Sequence, residues 1–125
     1  MNFPLIPENK KIKVLDNYYL DECESTNSIS SEEFFELLES SEPIQLIDVR
    51  SKEEYAQNNI ANSINIPFES LETRIQEIDL TLPLYIICQS GIRSRIAQQK
   101  LLRHNSTSFI YNILGGINQY NTLLI

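Results

Sequence analysis

The stretch "LYIICQSGIRSRIAQQKLL", Leu84 to Leu102, decides how the rest of the chain is read. It opens on an apolar run that ends at a cysteine, the signature of a buried strand. From Ser94 onward the pattern becomes that of an amphipathic helix, with Ile96, Leu101 and Leu102 facing inward. Between the two lies a short loop, Cys88-Gln89-Ser90-Gly91-Ile92-Arg93. A thiol is nucleophilic only as thiolate, and a free cysteine has a pKa of roughly 8.5, so activating it takes positive potential nearby. The loop offers several sources of that potential. Its backbone N–H groups can curl into an anion nest, and Gly91 gives the freedom such a curl needs. The following helix points its positive end at the loop. Arg93 adds a permanent charge on a planar donor fork, and Ser90 and Ser94 add hydroxyls, with Ser94 also placed to cap the helix. A cysteine alone at a strand end is more often a small hydrophobe. Strand, cysteine, glycine, arginine and helix in this order point instead to a reactive site. Cys23 reads the other way, because Asp21, Glu22 and Glu24 around it disfavour a thiolate.

Outward from this stretch, short apolar runs alternate with helical patterns. "SISSEEFFELLES" is a helix with capping-box spacing between Ser30 and Glu33 and an apolar face of Phe34, Leu37 and Leu38. "PIQLIDVR" and "SINIP" are strands, and "SKEEYAQNN" between them is a short helix capped by Ser51. "ESLETRIQEI" reads as a helix through Leu71, Ile75 and Ile78, "SFIYNIL" as a strand, and "GGINQYNTLLI" as a turn and a final short helix. The alternation predicts an α/β fold with a mainly parallel sheet and helices on both faces, whose sites form at the carboxyl ends of the strands. Cys88 stands at such an end. Residues 1–27 lack clear periodicity and read as an arm or linker, leaving 28–125 as the folded domain.

The chain has 125 residues, enough for one domain with a real core. Two cysteines are too few for a disulfide framework, no secretory h-region opens the chain, and no apolar run reaches membrane-span length. The expectation is a cytoplasmic protein with Cys88 as a free thiol. The formal charge of −7 is unevenly spread. All seventeen acidic residues and six basic ones lie before residue 80, a balance of −11, while residues 80–125 carry only Arg93, Arg95, Lys100 and Arg103, a balance of +4. The acidic total argues against nucleic-acid binding. The basic run is either a solvated helix face or a landing place for an acidic partner. The single histidine, His104, has no visible ligand partners, so no metal or other cofactor is expected.

Four segments together resemble a single-domain rhodanese, a sulfurtransferase module. They are "LIDVRSKEEY" (Leu46–Tyr55), "NNIANSINIP" (Asn58–Pro67), "CQSGIRS" (Cys88–Ser94) and "YNILGGINQY" (Tyr111–Tyr120), in the family's order and spacing over about residues 28–120. The resemblance implies a rhodanese-like, five-stranded sheet and a two-step covalent mechanism. Cys88 takes a sulfane sulfur from a donor such as thiosulfate or a polysulfide, and then gives it to a small thiol, cyanide or a sulfur-carrier protein. By the same resemblance, Gln89, Ser90, Gly91, Ile92, Arg93 and Ser94 form the persulfide-binding loop, Arg93 orients an anionic donor, and Asp48 and Arg50 tie the strand end to neighbouring loops. Departures from the pattern are Asn58-Asn59 for Gly-His, Ala61-Asn62 for Pro-Gly, Ser63 for Ala, and Gln89 where many relatives carry arginine. The last weakens the expected binding of thiosulfate.

Two other functions compete. Related phosphatases separate cysteine and arginine by five residues, whereas four separate Cys88 and Arg93, which makes a smaller cradle and disfavours phosphate or arsenate chemistry. A regulatory or docking module is the second alternative. Residues 1–27 and the end at Ile125 would fit a piece of a longer adenylyltransferase-type protein, but the intact cysteine loop favours the enzyme.

Overall fold

The computed structural model describes residues 27–40, 42–104 and 109–124, and the backbone of 11–15 and 18–21. Strands β1 (Lys11–Leu15) and β2 (Tyr18–Asp21) pair antiparallel, so the segment read as an aperiodic arm carries a hairpin. The hairpin escapes detection in the sequence because its apolar residues do not alternate cleanly. Cys23 lies outside the described residues.

The domain is built on a second sheet. Its strands are β3 (Asn27–Ile29), β4 (Gln45–Asp48), β5 (Ile64–Asn65), β6 (Leu84–Ile87) and β7 (Ile110–Ile113), in the order β3-β7-β6-β4-β5, all parallel. The helices are α1 (Ser31–Glu39), α2 (Lys52–Gln57), α3 (Ile92–His104) and α4 (Gly116–Thr122). The expected α/β architecture with five parallel strands is therefore present. Its fifth strand, β3, comes from a three-residue segment that the sequence pattern does not single out.

Side chains along β6 alternate between two cores, as the pleat requires. Leu84, Ile86 and Cys88 join Ile47, Val49, Phe68, Leu71 and the inner face of α3 (Ile96, Ala97, Leu101). Ile87 joins Leu46 and Ile113 on the other face, covered by Phe34 of α1 and Ile117 of α4. Both faces of the central strand are thus buried, and for that reason its sequence is apolar without interruption. Ser30 caps α1, its Oγ accepting from Glu33 N at 3.1 Å. Ser51 and Glu54 form a complete capping box at α2, with Glu54 N donating to Ser51 Oγ (3.2 Å) and Ser51 N to Glu54 Oε1 (3.0 Å).

One expected helix is not formed. "ESLETRIQEI" folds as two 3-10 turns, Phe68–Ser70 and Ile75–Glu77. Arg74 breaks the pattern at φ −116°, ψ 18°, where its Nη1 reaches Asn65 O (3.3 Å) and its Nε and Nη2 hold Glu77. Phe68 and Leu71 are buried three residues apart, a spacing that 3-10 turns serve as well as an α-helix.

Candidate active site

Cys88 follows directly on β6 and is completely buried, and it is a free thiol. Its Sγ accepts the backbone N–H of Gly91 at 3.0 Å and lies 3.3 Å from Ser94 Oγ. Gly91 adopts φ +99°, and a Cβ there would sit 3.1 Å from Gly115 N, so the position takes glycine for both reasons. Two of the loop carbonyls are held by α4. Cys88 O accepts from Ile117 N (2.9 Å) and Gln89 O from Asn118 N (3.0 Å), both at the start of α4. Gly116 allows this contact, since a Cβ on it would come within 2.3 Å of Cys88 O. With the Cys88 and Gln89 carbonyls engaged by α4, the loop turns the Gly91 amide, just ahead of α3, toward the sulfur, an arrangement that stabilises an anion.

Ser94 lies within the first turn of α3 and is fully buried, so it is not the helix cap that its position suggested. Its hydroxyl donates to Asn112 Oδ1 at 2.5 Å, and Asn112 Nδ2 donates to Gly91 O at 3.3 Å. The thiol S–H can therefore donate to Ser94 Oγ while Ser94 donates to Asn112. When the sulfur is a thiolate, the same hydroxyl can turn to it. Asn112 was not singled out in the sequence, although a polar residue inside the apolar run "FIYNIL" was a visible signal.

Asp48 and Arg50 are buried and joined by bonds of 2.9–3.1 Å from Arg50 Nε and Nη2 to the carboxylate. Arg50 Nη2 also donates to Asn58 O (2.6 Å), and Nη1 to Asn58 Oδ1 and Gln89 Oε1 (both 3.2 Å). Gln89 completes the chain through Nε2 to Asn118 Oδ1 at 2.6 Å. Its side chain thus braces the loop from outside. Ser90 and Ile92 are exposed at the rim. Arg93 forms a two-pronged ion pair with Glu54, Nη1 to Oε1 at 2.8 Å and Nη2 to Oε2 at 3.0 Å. The Arg93 bond, opposed by partial burial and aided by Ser51, holds the Glu54 carboxyl down at about 2. Glu54 in turn raises the Arg93 guanidinium, and the charges of a Cys88 thiolate and Glu69 add to this against partial burial. Glu54 is the second residue the sequence reading missed. Its role as a helix-capping glutamate gave no hint of a partner 39 residues away.

Of the remaining basic residues, Lys100 lies 3.7 Å from Glu72 and 4.9 Å over the Phe68 ring. His104 is exposed. No cluster of three or more potential metal-ligating His, Cys, Asp or Glu side chains occurs among the described residues. Nor is any helix among them long and apolar enough to cross a membrane.

The family profile described as "Rhodanese-like domain" matches residues 30–123. The chain belongs to the rhodanese-like domain family. Two Bacillus subtilis relatives are the uncharacterized protein YqhL, 41% identical over 76 residues (61% of this chain, 60% of that one), and the putative sulfur carrier protein YrkF, 31% identical over 100 residues (80% and 54%). The chain thus spans little more than half the length of these two. A protein named sulfurtransferase from Allochromatium vinosum is 32% identical over 91 residues, covering 73% of this chain and 84% of that one. The crystal structure of a rhodanese-like domain protein from Staphylococcus aureus superposes with a TM-score of 0.65 at 27% identity, over 76% of this chain and 91% of that one. The rhodanese-like domain described here places Cys88, Gly91 and Ser94 together as one cradle. It turns the side chains of Gln89 and Arg93 to other partners.

Proposed function

We propose that this rhodanese-like domain is a sulfurtransferase that works through a persulfide on Cys88. The observation that carries this reading is the buried Cys88 Sγ, which meets the Gly91 amide at 3.0 Å and the Ser94 hydroxyl at 3.3 Å at the amino end of α3. Those donors serve a thiolate first and the negative outer sulfur of a persulfide afterwards. In the first step the Cys88 thiolate attacks the sulfane sulfur of a donor. A bond forms from Sγ to that sulfur, the donor's S–S bond breaks, and the leaving group departs with the electron pair, as sulfite if the donor is thiosulfate. In the second step an acceptor thiolate attacks the outer sulfur, becomes the persulfide, and releases the Cys88 thiolate. A small thiol or a sulfur-carrier protein is the acceptor, with cyanide as its substitute in vitro. Asp48, Arg50 and Gln89 hold the loop's shape. Ser90 and Ile92 form its accessible rim.

The test is intact mass of the purified protein after exposure to a persulfide or to thiosulfate, then after cyanide. A gain of one sulfur (~32 Da), reversed by cyanide and missing in Cys88→Ser, is expected. If no donor adds mass while the thiol can still be alkylated, the persulfide reading is wrong for small donors.

A further inference from the structure

The cation of the cysteine loop is already occupied. Both terminal nitrogens of Arg93 meet both oxygens of Glu54, at 2.8 and 3.0 Å, the fork-on-fork geometry by which arginine would otherwise grip a carboxylate, sulfonate or phosphate. Glu54 is fixed from its own side as well. Its Oε1 accepts from Ser51 N at 3.0 Å, and its backbone carbonyl accepts from Arg50 Nη1 at 3.4 Å, on the same nitrogen that holds Gln89. Both side chains of the pair are about one-quarter to one-third exposed, so solvent reaches the pair, and Arg93 is near enough to Cys88 to feel the charge of its thiolate. Its carboxyl is held at about 2, first by Arg93, so no pH near neutrality opens the pair by protonation.

Resting on the sulfurtransferase reading, we propose that Glu54 determines donor specificity. Its carboxylate takes the seat on Arg93 that a donor's anionic group would fill, and so turns the site away from thiosulfate toward persulfide donors with an uncharged carbon end. A dianion must either displace a carboxylate that is anchored from behind or approach with that charge beside it, and both oppose binding. A donor R–S–SH needs neither. It delivers its outer sulfur to the Cys88 thiolate and departs as the thiolate R–S⁻.

The test compares the unaltered protein with Glu54→Gln and Glu53→Gln. Glutamine at position 54 still suits the capping box. Glu53, exposed on the same helix, makes the same change of net charge without touching Arg93. The first readout is the rate at which Cys88 gains one sulfur from thiosulfate and, separately, from 2-hydroxyethyl persulfide. Glu54→Gln is expected to raise the thiosulfate-to-persulfide rate ratio about tenfold, and Glu53→Gln less than about twofold. The second readout needs no sulfur transfer: alkylation of Cys88 by iodoacetate relative to iodoacetamide, reagents alike in size and different in charge. That ratio is expected to rise in Glu54→Gln alone. Ratios that stay level, or rise equally in the two variants, overturn the specificity role. If no protein takes sulfur from either donor but the alkylation ratio rises, the charge gate stands and sulfur transfer from small donors is what fails.

Discussion

At position 116 a single methyl group would separate the cysteine loop from the helix that holds it. Gly116 has φ +59°, and its absent Cβ would fall 2.3 Å from Cys88 O and 2.7 Å from Gln89 O. Gly116→Ala is expected to lower stability by more than about 2 kcal/mol, combining left-handed strain with the clash. It should also alter the rate at which iodoacetamide alkylates Cys88. Urea unfolding with the alkylation rate checks both, and an unchanged midpoint would show that the contact is dispensable. At this scale the sequence was most readable where chemistry sits on a local pattern. Cys88, Gly91 and Ser94 lie within one loop and first helical turn, and their grouping follows from the chain's path. Asn112 and Glu54 reach the site from 18 and 39 residues away, and no local periodicity encodes such a meeting. Gln89 was visible as a departure from arginine, yet its bridge from Arg50 to Asn118 depends on three separate segments.

Among elements, the tie between α2 and α3 is the ion pair of Glu54 and Arg93, with both side chains partly exposed. Such a pair is worth about 1 kcal/mol after solvent screening. Its carboxyl is lowered in the folded chain to about 2, chiefly by the Arg93 bond. The stabilisation is therefore complete above the unfolded carboxylate's pKa of about 4.3 and is lost as pH falls through the folded value. Glu54→Gln should melt below the unaltered protein at pH 7, with the gap closing between about pH 5 and pH 2. Thermal melts of both proteins across that range are the measurement, and a gap that persisted at pH 2 would deny the pair its electrostatic origin. The elements themselves were legible wherever a cap or an apolar strand announced them, as Ser51 does for α2 and "LYII" for β6. The segment after Pro67 misled because Leu71, Ile75 and Ile78 satisfy a helical stripe and a pair of 3-10 turns alike. Arg74's bonds to Asn65 and Glu77 decide for the turns.

Across the whole molecule, one sheet serves two cores. Ile86 and Ile87 are neighbours on β6, fully buried on opposite faces. Ile86→Ala and Ile87→Ala should each cost about 2–5 kcal/mol, and each should shift one common transition, because either cavity weakens the strand that both cores share. Far-UV circular dichroism and tyrosine fluorescence, in a chain with six tyrosines and no tryptophan, should report coincident midpoints. Two separated transitions would mean that the cores unfold apart. The parallel sheet could be read from the sequence because buried central strands are apolar throughout. Strand β3 could not, since "NSI" is short and mostly polar and gains its place by pairing with β7, with Gln98 Nε2 gripping Asn27 O at 2.6 Å. The uneven charge also has a spatial answer. Arg93 and Lys100, in the basic part of the chain, face Glu54 and Glu72 from the acidic part.

The dependence of the cysteine loop on Ile117 and Asn118 bears on the order in which the protein is made. At a translation rate of about 5–20 residues per second, residues 116–118 follow Cys88 out of the ribosome by on the order of seconds. During that interval the carbonyls of Cys88 and Gln89 lack the amides that later hold them, and β6 lacks its partner β7. The nascent chain carries the thiol before it carries the segment that holds the loop, so the cradle around Sγ takes its final shape only after Gly116 and the amides that follow it have arrived.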